Sequence, residues 1–253
     1  MRASLLYNPA IILERLALSL RRHNRRRPLQ GTPAAALSLG HLDSLELLQL
    51  LSSHPPAIVH DIGANAGTWT CLLKSLYPAA RVEAFEPLDR FAADFARWTC
   101  TWPGDIRLHR LALGDCLGQA TLHVTDFADA SSLLTLSDAG RAEFKVVPTS
   151  TVTVPVARLD DLLASGAVAP PDLIKLDVQG FELAVLRGGE TALASARAVL
   201  CEVSTRAFYD GQALFGDVLS HLEARGFRLH ALGANLEPGA PFAQADALFL
   251  RSA

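Results

Sequence analysis

The sequence predicts an α/β domain organised around a mostly parallel sheet. Three observations carry this. From residue 57 onward, apolar runs of strand length alternate with amphipathic stretches of helix length. The first run ends in an acid and enters a glycine-bearing turn, Asp61-Ile-Gly63-Ala-Asn65-Ala-Gly67. With 253 residues and 50% hydrophobic side chains, the chain is long and apolar enough to bury one large core.

Residues 8–24 read as an amphipathic helix, with Asn8 as N-cap, Pro9 at the first position and Ile12, Leu13, Leu16, Ala17 and Leu20 on one face. Arg21, Arg22, Arg25, Arg26 and Arg27 follow, then a linker from Pro28 to Pro33. Residues 1–40 are thus expected to form an extension, and 41–253 the domain proper. A short helix is expected at 41–52, with Asp43 or Ser44 near its start. Next come a strand at 57–61, a helix at 68–77 stopping before Pro78, a strand at 81–86, a helix at 88–99 and a strand at 106–113. Segments 119–125 and 151–156 alternate like strands around a Ser/Asp/Gly-rich loop, a β insertion where a simpler nucleotide fold has a helix. A short helix at 159–164, a central strand at 172–177 and a helix at 181–188 ending at Gly188-Gly189 come next. The chain closes with a strand at 198–203, a helix at 213–225 and strands at 227–231 and 246–250.

Composition narrows the function. A net charge of −3 gives no reason to seek nucleic acid. The arginine run leaves two readings: a membrane-surface or protein contact, or a docking helix with a solvated basic end, which is the preferred one. Cys71, Cys100, Cys116 and Cys201 lack zinc-ligand spacing and are expected as buried free thiols of a reducing cytoplasm. No metal-ligand cluster is expected. No run of 18 apolar residues occurs, and the basic residues follow the N-terminal apolar stretch, unlike a secretory signal.

The chemistry is concentrated at strand ends, where ligands bind in open α/β sheets. Gly63 and Gly67 let backbone approach a ligand, and the N-terminus of the following helix, from Thr68, faces it. Asp61 in front would repel a pyrophosphate and suits an amino group. The loop therefore favours S-adenosylmethionine over NAD. Phe85-Glu86-Pro87 places an acid at the end of the second strand, suited to both ribose hydroxyls. Leu111-Ala112-Leu113-Gly114-Asp115 offers small apolar groups for an adenine pocket, with Asp115 as a partner of the base or a turn residue. In Ile174-Lys175-Leu176-Asp177-Val178-Gln179-Gly180-Phe181-Glu182, alternation puts Lys175 and Asp177 on one face, able to neutralise each other. Asp177 is the first candidate base, with Glu182 and Glu202 behind it, and Ser131-Ser132 is expected as a lid or acceptor wall.

These motifs, with Leu186-Arg-Gly-Gly189 and Asp246-Ala-Leu-Phe249, resemble the FkbM family of S-adenosylmethionine-dependent methyltransferases over roughly residues 55–250. The resemblance implies a class I methyltransferase fold, Rossmann-like, with a seven-stranded sheet and a reversed last strand. It implies O-methylation of a sugar, glycan or polyketide-type natural product. By motif match Asp61, Gly63, Asn65, Gly67 and Glu86 bind the cofactor, Ala112 and Leu113 flank adenine, and Asp177 sits at the transfer end; Thr68 and Pro87 are further cofactor-binding candidates, and Lys175 and Glu182 further catalytic ones. A non-catalytic cofactor-binding module of a glycan or natural-product assembly complex, and a NAD-dependent oxidoreductase, stand as alternatives.

Overall fold

The computed structural model describes residue 24 and residues 26–37, 42–233 and 242–252. Apart from its last residue, the helix expected at 8–24 lies outside the described residues.

Two 3-10 turns, Arg27–Leu29 and Pro33–Ala36, precede α1 (Leu42–Gln49). The expected linker at 28–33 is instead packed: Leu29, Ala34 and Leu37 are buried in the same core cluster as Leu45 and Leu48 of α1. The two prolines start 3-10 turns, and apolar side chains at 29, 34 and 37 turn inward.

The main sheet takes its first three strands from β1 (Ile58–Ile62), β2 (Arg81–Phe85) and β3 (Ile106–His109), connected through α2 (Thr68–Leu76) and α3 (Ala92–Thr99). The strand expected at 106–113 is divided. The parallel ladder with β2 ends where the Glu86 amide donates to the His109 carbonyl at 3.1 Å. Beyond it, β4 (Ala112–Leu113) leaves for a second sheet, built with β5 (Gly118–Thr125) and β6 (Pro148–Ala157) in the order β4-β6-β5. Between β5 and β6 the expected loop contains α4 (Asp138–Phe144), whose N-cap Ser137 accepts from the Gly140 amide at 3.1 Å.

After α5 (Leu159–Ala164) come β7 (Leu173–Leu176), α6 (Glu182–Arg187) and α7 (Glu190–Ser195). The Gly188-Gly189 pair ends one helix and starts the next. Gly188 is required by packing, since a Cβ there would lie 1.9 Å from the Gly114 carbonyl oxygen. β8 (Ala198–Ser204), α8 (Phe215–Glu223), β9 (Phe227–Leu232) and β10 (Gln244–Arg251) complete the chain.

The seven-stranded order is β3-β2-β1-β7-β8-β10-β9. β10 runs antiparallel to both neighbours while the other pairs are parallel, the reversed last strand that the family resemblance implies. Strand alternation sorts two cores. On one face Val59, Val82, Leu173, Leu200 and Leu248 pack against α1, α2 and α3. On the other Ile62, Ile174, Leu176, Val199 and Phe249 pack against α5 to α8. A fully buried aliphatic side chain on either face is worth about 1.5–3 kcal/mol. Cys71 and Cys201 are buried, but Cys100 and Cys116 are exposed, so the expectation of four buried thiols holds for two. Cys100 ends α3 and Cys116 sits in the turn before β5.

Candidate active site

The first core face changes character at the carboxyl ends of its strands. Along β1 and β7, Val59 and Leu173 give way to Asp61 and Lys175, which are partners in the ladder. One alternation further, Asp177 lies beside Glu202 of β8, and Glu202 is paired with Asp246 of β10. The parallel register and period-2 alternation therefore build a row of charged groups where the apolar face ends. A cavity of about 510 Å³ opens over this row. Its size is that of a small-molecule site.

Lys175 is the hub. Its ammonium lies 3.3 Å from Asp61 Oδ1 and 3.6 Å from Asp177 Oδ2, and donates to the Gly63 carbonyl at 3.0 Å. Burial opposes the charge, but the carboxylates of Asp61 and Asp177 outweigh it and hold the ammonium above its usual range. Asp61 is wholly buried; its Oδ2 accepts from Thr70 Oγ1 at 2.5 Å. It stands behind the cavity wall. Gly67, likewise expected in the site, starts α2 at φ 80°, and the Phe95 ring occupies the place a Cβ would take.

Gly63, Asn65, Thr68, Glu86, Pro87, Ala112 and Leu113 all line the cavity. Gly63 is the tightest point. Its φ is +79°, and a Cβ would meet the Asp177 carbonyl oxygen at 1.9 Å. Glu86 accepts from the Asn65 amide at 3.0 Å on one oxygen and from the Leu88 amide at 2.8 Å on the other. Burial raises its pKa, and those two amides work against the rise. Leu88, Phe91, Leu111 and Leu122 join Ala112 and Leu113 as an apolar sleeve. Asp115 is exposed and not on the wall, which fits the turn reading.

At the opposite end lie Asp177, Gln179, Glu202, Asp246 and Ser44. Gln179 adopts φ 54°, outside the usual range for a residue with a side chain. Its amide nitrogen donates to Asp177 Oδ1 at 2.7 Å and Glu202 Oε2 at 2.8 Å. Ser44 of α1 donates to Asp246 Oδ2 at 2.6 Å. Glu182, a predicted base, faces away from the cavity: Oε1 accepts from the Val178 and Gly180 amides at 3.0 and 3.1 Å. Its carboxylate holds the loop after β7. Above the site, Asn65 Nδ2 donates to Asp129 Oδ1 at 2.9 Å, and Ser131, Ser132 and Leu133 close the roof. Ser132 is anchored by donating to the Gln179 carbonyl at 2.7 Å. Among the described residues, no group of three or more His, Cys, Asp or Glu is arranged to hold a metal ion.

The bridging role of Gln179 and the contributions of Ser44, Asp129 and Asp246 escape sequence reasoning. Ser44 and Asp246 are 202 positions apart, and nothing local marks them as partners. The positive φ of Gln179 had one signal, the glycine after it in a turn-forming segment.

Residues 61–229 match the methyltransferase FkbM domain family. The chain belongs to the FkbM methyltransferase family. Among relatives, 2-O-methyltransferase NoeI of Sinorhizobium fredii is 30% identical over 174 residues, covering 66% of this chain and 71% of that protein. Hexuronic acid methyltransferase AglP of Haloferax volcanii is 29% identical over 168 residues, 65% of this chain and 62% of that protein. Among solved structures, magnesium protoporphyrin IX methyltransferase from Synechocystis is 12% identical with a TM-score of 0.48, covering 92% of this chain and 91% of that one. The strand order and reversed β10 are those of the class I methyltransferase fold. FkbM methyltransferases take their methyl group from S-adenosylmethionine. The donor set suits that cofactor: a strand-end carboxylate, an apolar sleeve and an acidic far wall match ribose, adenine and a cationic sulfur. Among the described residues, no helix is long and apolar enough to cross a membrane.

Proposed function

We propose that this methyltransferase acts on a hydroxyl group of a sugar, a glycan or a polyketide-type natural product. One observation carries the reading: a single cavity holds Glu86 and the apolar sleeve at one end and the acid row at the other. In this reading Glu86 receives the ribose hydroxyls, and Pro87, Ala112 and Leu113 flank the adenine. Gly63, Asn65 and Thr68 present the turn and helix start to the amino-acid tail. Asp61 and Gly67 act from behind the wall, the first by fixing Lys175 and the second by seating α2 against Phe95. Asp177 faces the transfer end, positioned by Lys175 and Gln179, and Glu182 shapes the loop that carries it. S-adenosylmethionine, when bound, supplies an electrophilic methyl on a positively charged sulfur. The chain's task is to align an acceptor oxygen with that methyl. The named activities of the relatives, at a 2-O position and on a hexuronic acid, support a sugar-type acceptor. Residues 1–40 act here as an extension of the 41–253 domain, anchored through the packed residues 26–37.

The test uses methyl-labelled S-adenosylmethionine with a panel of hydroxylated sugars and polyketides. Label recovered as an ether on an acceptor hydroxyl is the expected result. Label found only on amines would refute O-transfer. Tight cofactor binding with no labelled product from any acceptor would replace catalysis with a binding module.

A further inference from the structure

We propose that Glu202 is the group that takes the acceptor proton, and that its ionisation is matched to the charge on the cofactor sulfur. The inference rests on the O-methyltransferase reading above and assigns the proton that reading leaves unplaced.

Two carboxylates on the cavity wall are bridged by one amide. Gln179 Nε2 donates to Asp177 and to Glu202, and the amide is oriented by Tyr209, whose hydroxyl donates to Gln179 Oε1 at 3.0 Å. The two acids are not equivalent. Both oxygens of Asp177 have a donor or cation: Oδ1 has the amide and Oδ2 has the Lys175 ammonium. Asp177 is therefore already engaged through both of its oxygens. Glu202 has the amide on Oε2 alone, and among the described residues Oε1 receives no hydrogen bond. Oε1 is the oxygen left to meet an acceptor.

The surroundings of Glu202 set its basicity. Asp177 faces it from the loop after β7, Asp246 from β10, Glu182 from α6, Lys175 from β7, and Cys201 and Tyr209 from its own strand and the loop beyond. Burial, then Asp177, Asp246 and Glu182, raise its pKa well above the usual carboxylate range, against the lesser pull of Lys175. A carboxylate so raised is a better base than an ordinary one, because general bases work best near the operating pH. A positive charge brought close to it favours its ionised form.

A sulfonium supplies that charge. In the transfer step the acceptor oxygen bonds to the methyl carbon as the carbon–sulfur bond breaks, and both electrons stay on sulfur. The acceptor proton passes to Glu202 Oε1. Sulfur loses its positive charge as Glu202 loses its negative one, so the site keeps its net charge through the reaction. The demethylated product S-adenosylhomocysteine is then left beside a neutral Glu202.

The consequence is measurable without knowing the acceptor. Binding of S-adenosylmethionine should drive a proton off Glu202, and binding of S-adenosylhomocysteine should not. Calorimetry of each ligand near neutral pH, in two buffers of different ionisation heat, reads the protons released. The difference between the ligands should be at most about one proton, and affinity for the sulfonium ligand should rise with pH relative to its product. Glu202→Gln should bind both ligands with the difference gone, and Glu202→Asp should restore it. Equal proton release by the two ligands in the unaltered protein overturns the proposal, whether or not the variants fold. A difference that persists in a folded Glu202→Gln protein also overturns it. Heat from neither ligand would instead remove the cofactor reading on which the proposal stands.

Discussion

Glu86 and Glu182 are both buried carboxylates that accept two backbone amides, yet they do different work. Glu86 presents its oxygens to the cavity, whereas Glu182 spends one oxygen on the Val178 and Gly180 amides. In the proposed reading, Glu86→Gln removes the anion that receives the ribose of both cofactor and product. Affinity for both should fall by a similar factor, about 10- to 100-fold, which is ~1.5–3 kcal/mol for hydrogen bonds to a charged group. Unequal losses in paired titrations would place Glu86 away from the ribose. Glu182 has a signature in stability. Burial pushes it up to about 7 from the ordinary 4.5, in spite of its amide donors. The folded state therefore binds a proton that the unfolded chain has released across that window. Stability is fully present below pH 4.5 and is lost as pH rises through 7. The span is worth about 3 kcal/mol. Glu182→Gln cannot lose a proton, so its unfolding free energy should be flatter between those limits. Denaturant titrations at several pH values read this directly, and a wild-type slope unchanged in the variant would refute it.

At the scale of elements, the turn after β1 and the loop after β7 are locked against each other. Gly63 and Ala64 donate to the Phe85 carbonyl at 3.0 Å each, and Gly63 passes under the Asp177 carbonyl. Gly63→Ala would put a Cβ into that carbonyl and a side chain at φ +79°. The left-handed conformation alone costs roughly 1–2 kcal/mol. Because relief of the clash must separate the turn after β1 from the loop that carries Asp177, S-adenosylhomocysteine should no longer raise the melting temperature of this variant. A full thermal shift in Gly63→Ala would contradict the close approach. Strand and helix types were legible because apolar spacing reports the period of each element. The β insertion showed itself by alternation at 119–125 and 151–156. The division of the third strand did not, since Arg110 and Leu111 carry no turn signal and only the end of the β2 ladder forces the break. α4 was hidden for a related reason: its seven residues lie in a polar stretch too short for a period to emerge.

The whole molecule depends on its last strand. β10 lies between β8 and β9 and supplies Asp246 to the acid row. A chain stopped after residue 243 leaves β9 without a partner and uncovers Val199, Cys201 and Val203 of β8. Such a protein should lack a cooperative melting transition by circular dichroism; a sharp transition would show that β10 is dispensable. The row itself exists only at this scale. Asp61, Lys175, Asp177, Glu202 and Asp246 come from four strands and their ends, aligned by register.

By itself the sequence determined the layered α/β architecture and the residues around the glycine turn and Glu86. Each is encoded over short spans, by the period of apolar residues or by a motif whose backbone demands are local. Only the tertiary structure decided which acids face the cavity. It moved Asp61 and Glu182 behind the wall and brought Gln179, Glu202, Asp246 and Ser44 together on it. The physical reason is that a carboxylate's role depends on which donors and charges surround it, and these arrive from separate elements, as distant in the chain as Ser44 and Asp246, 202 positions apart.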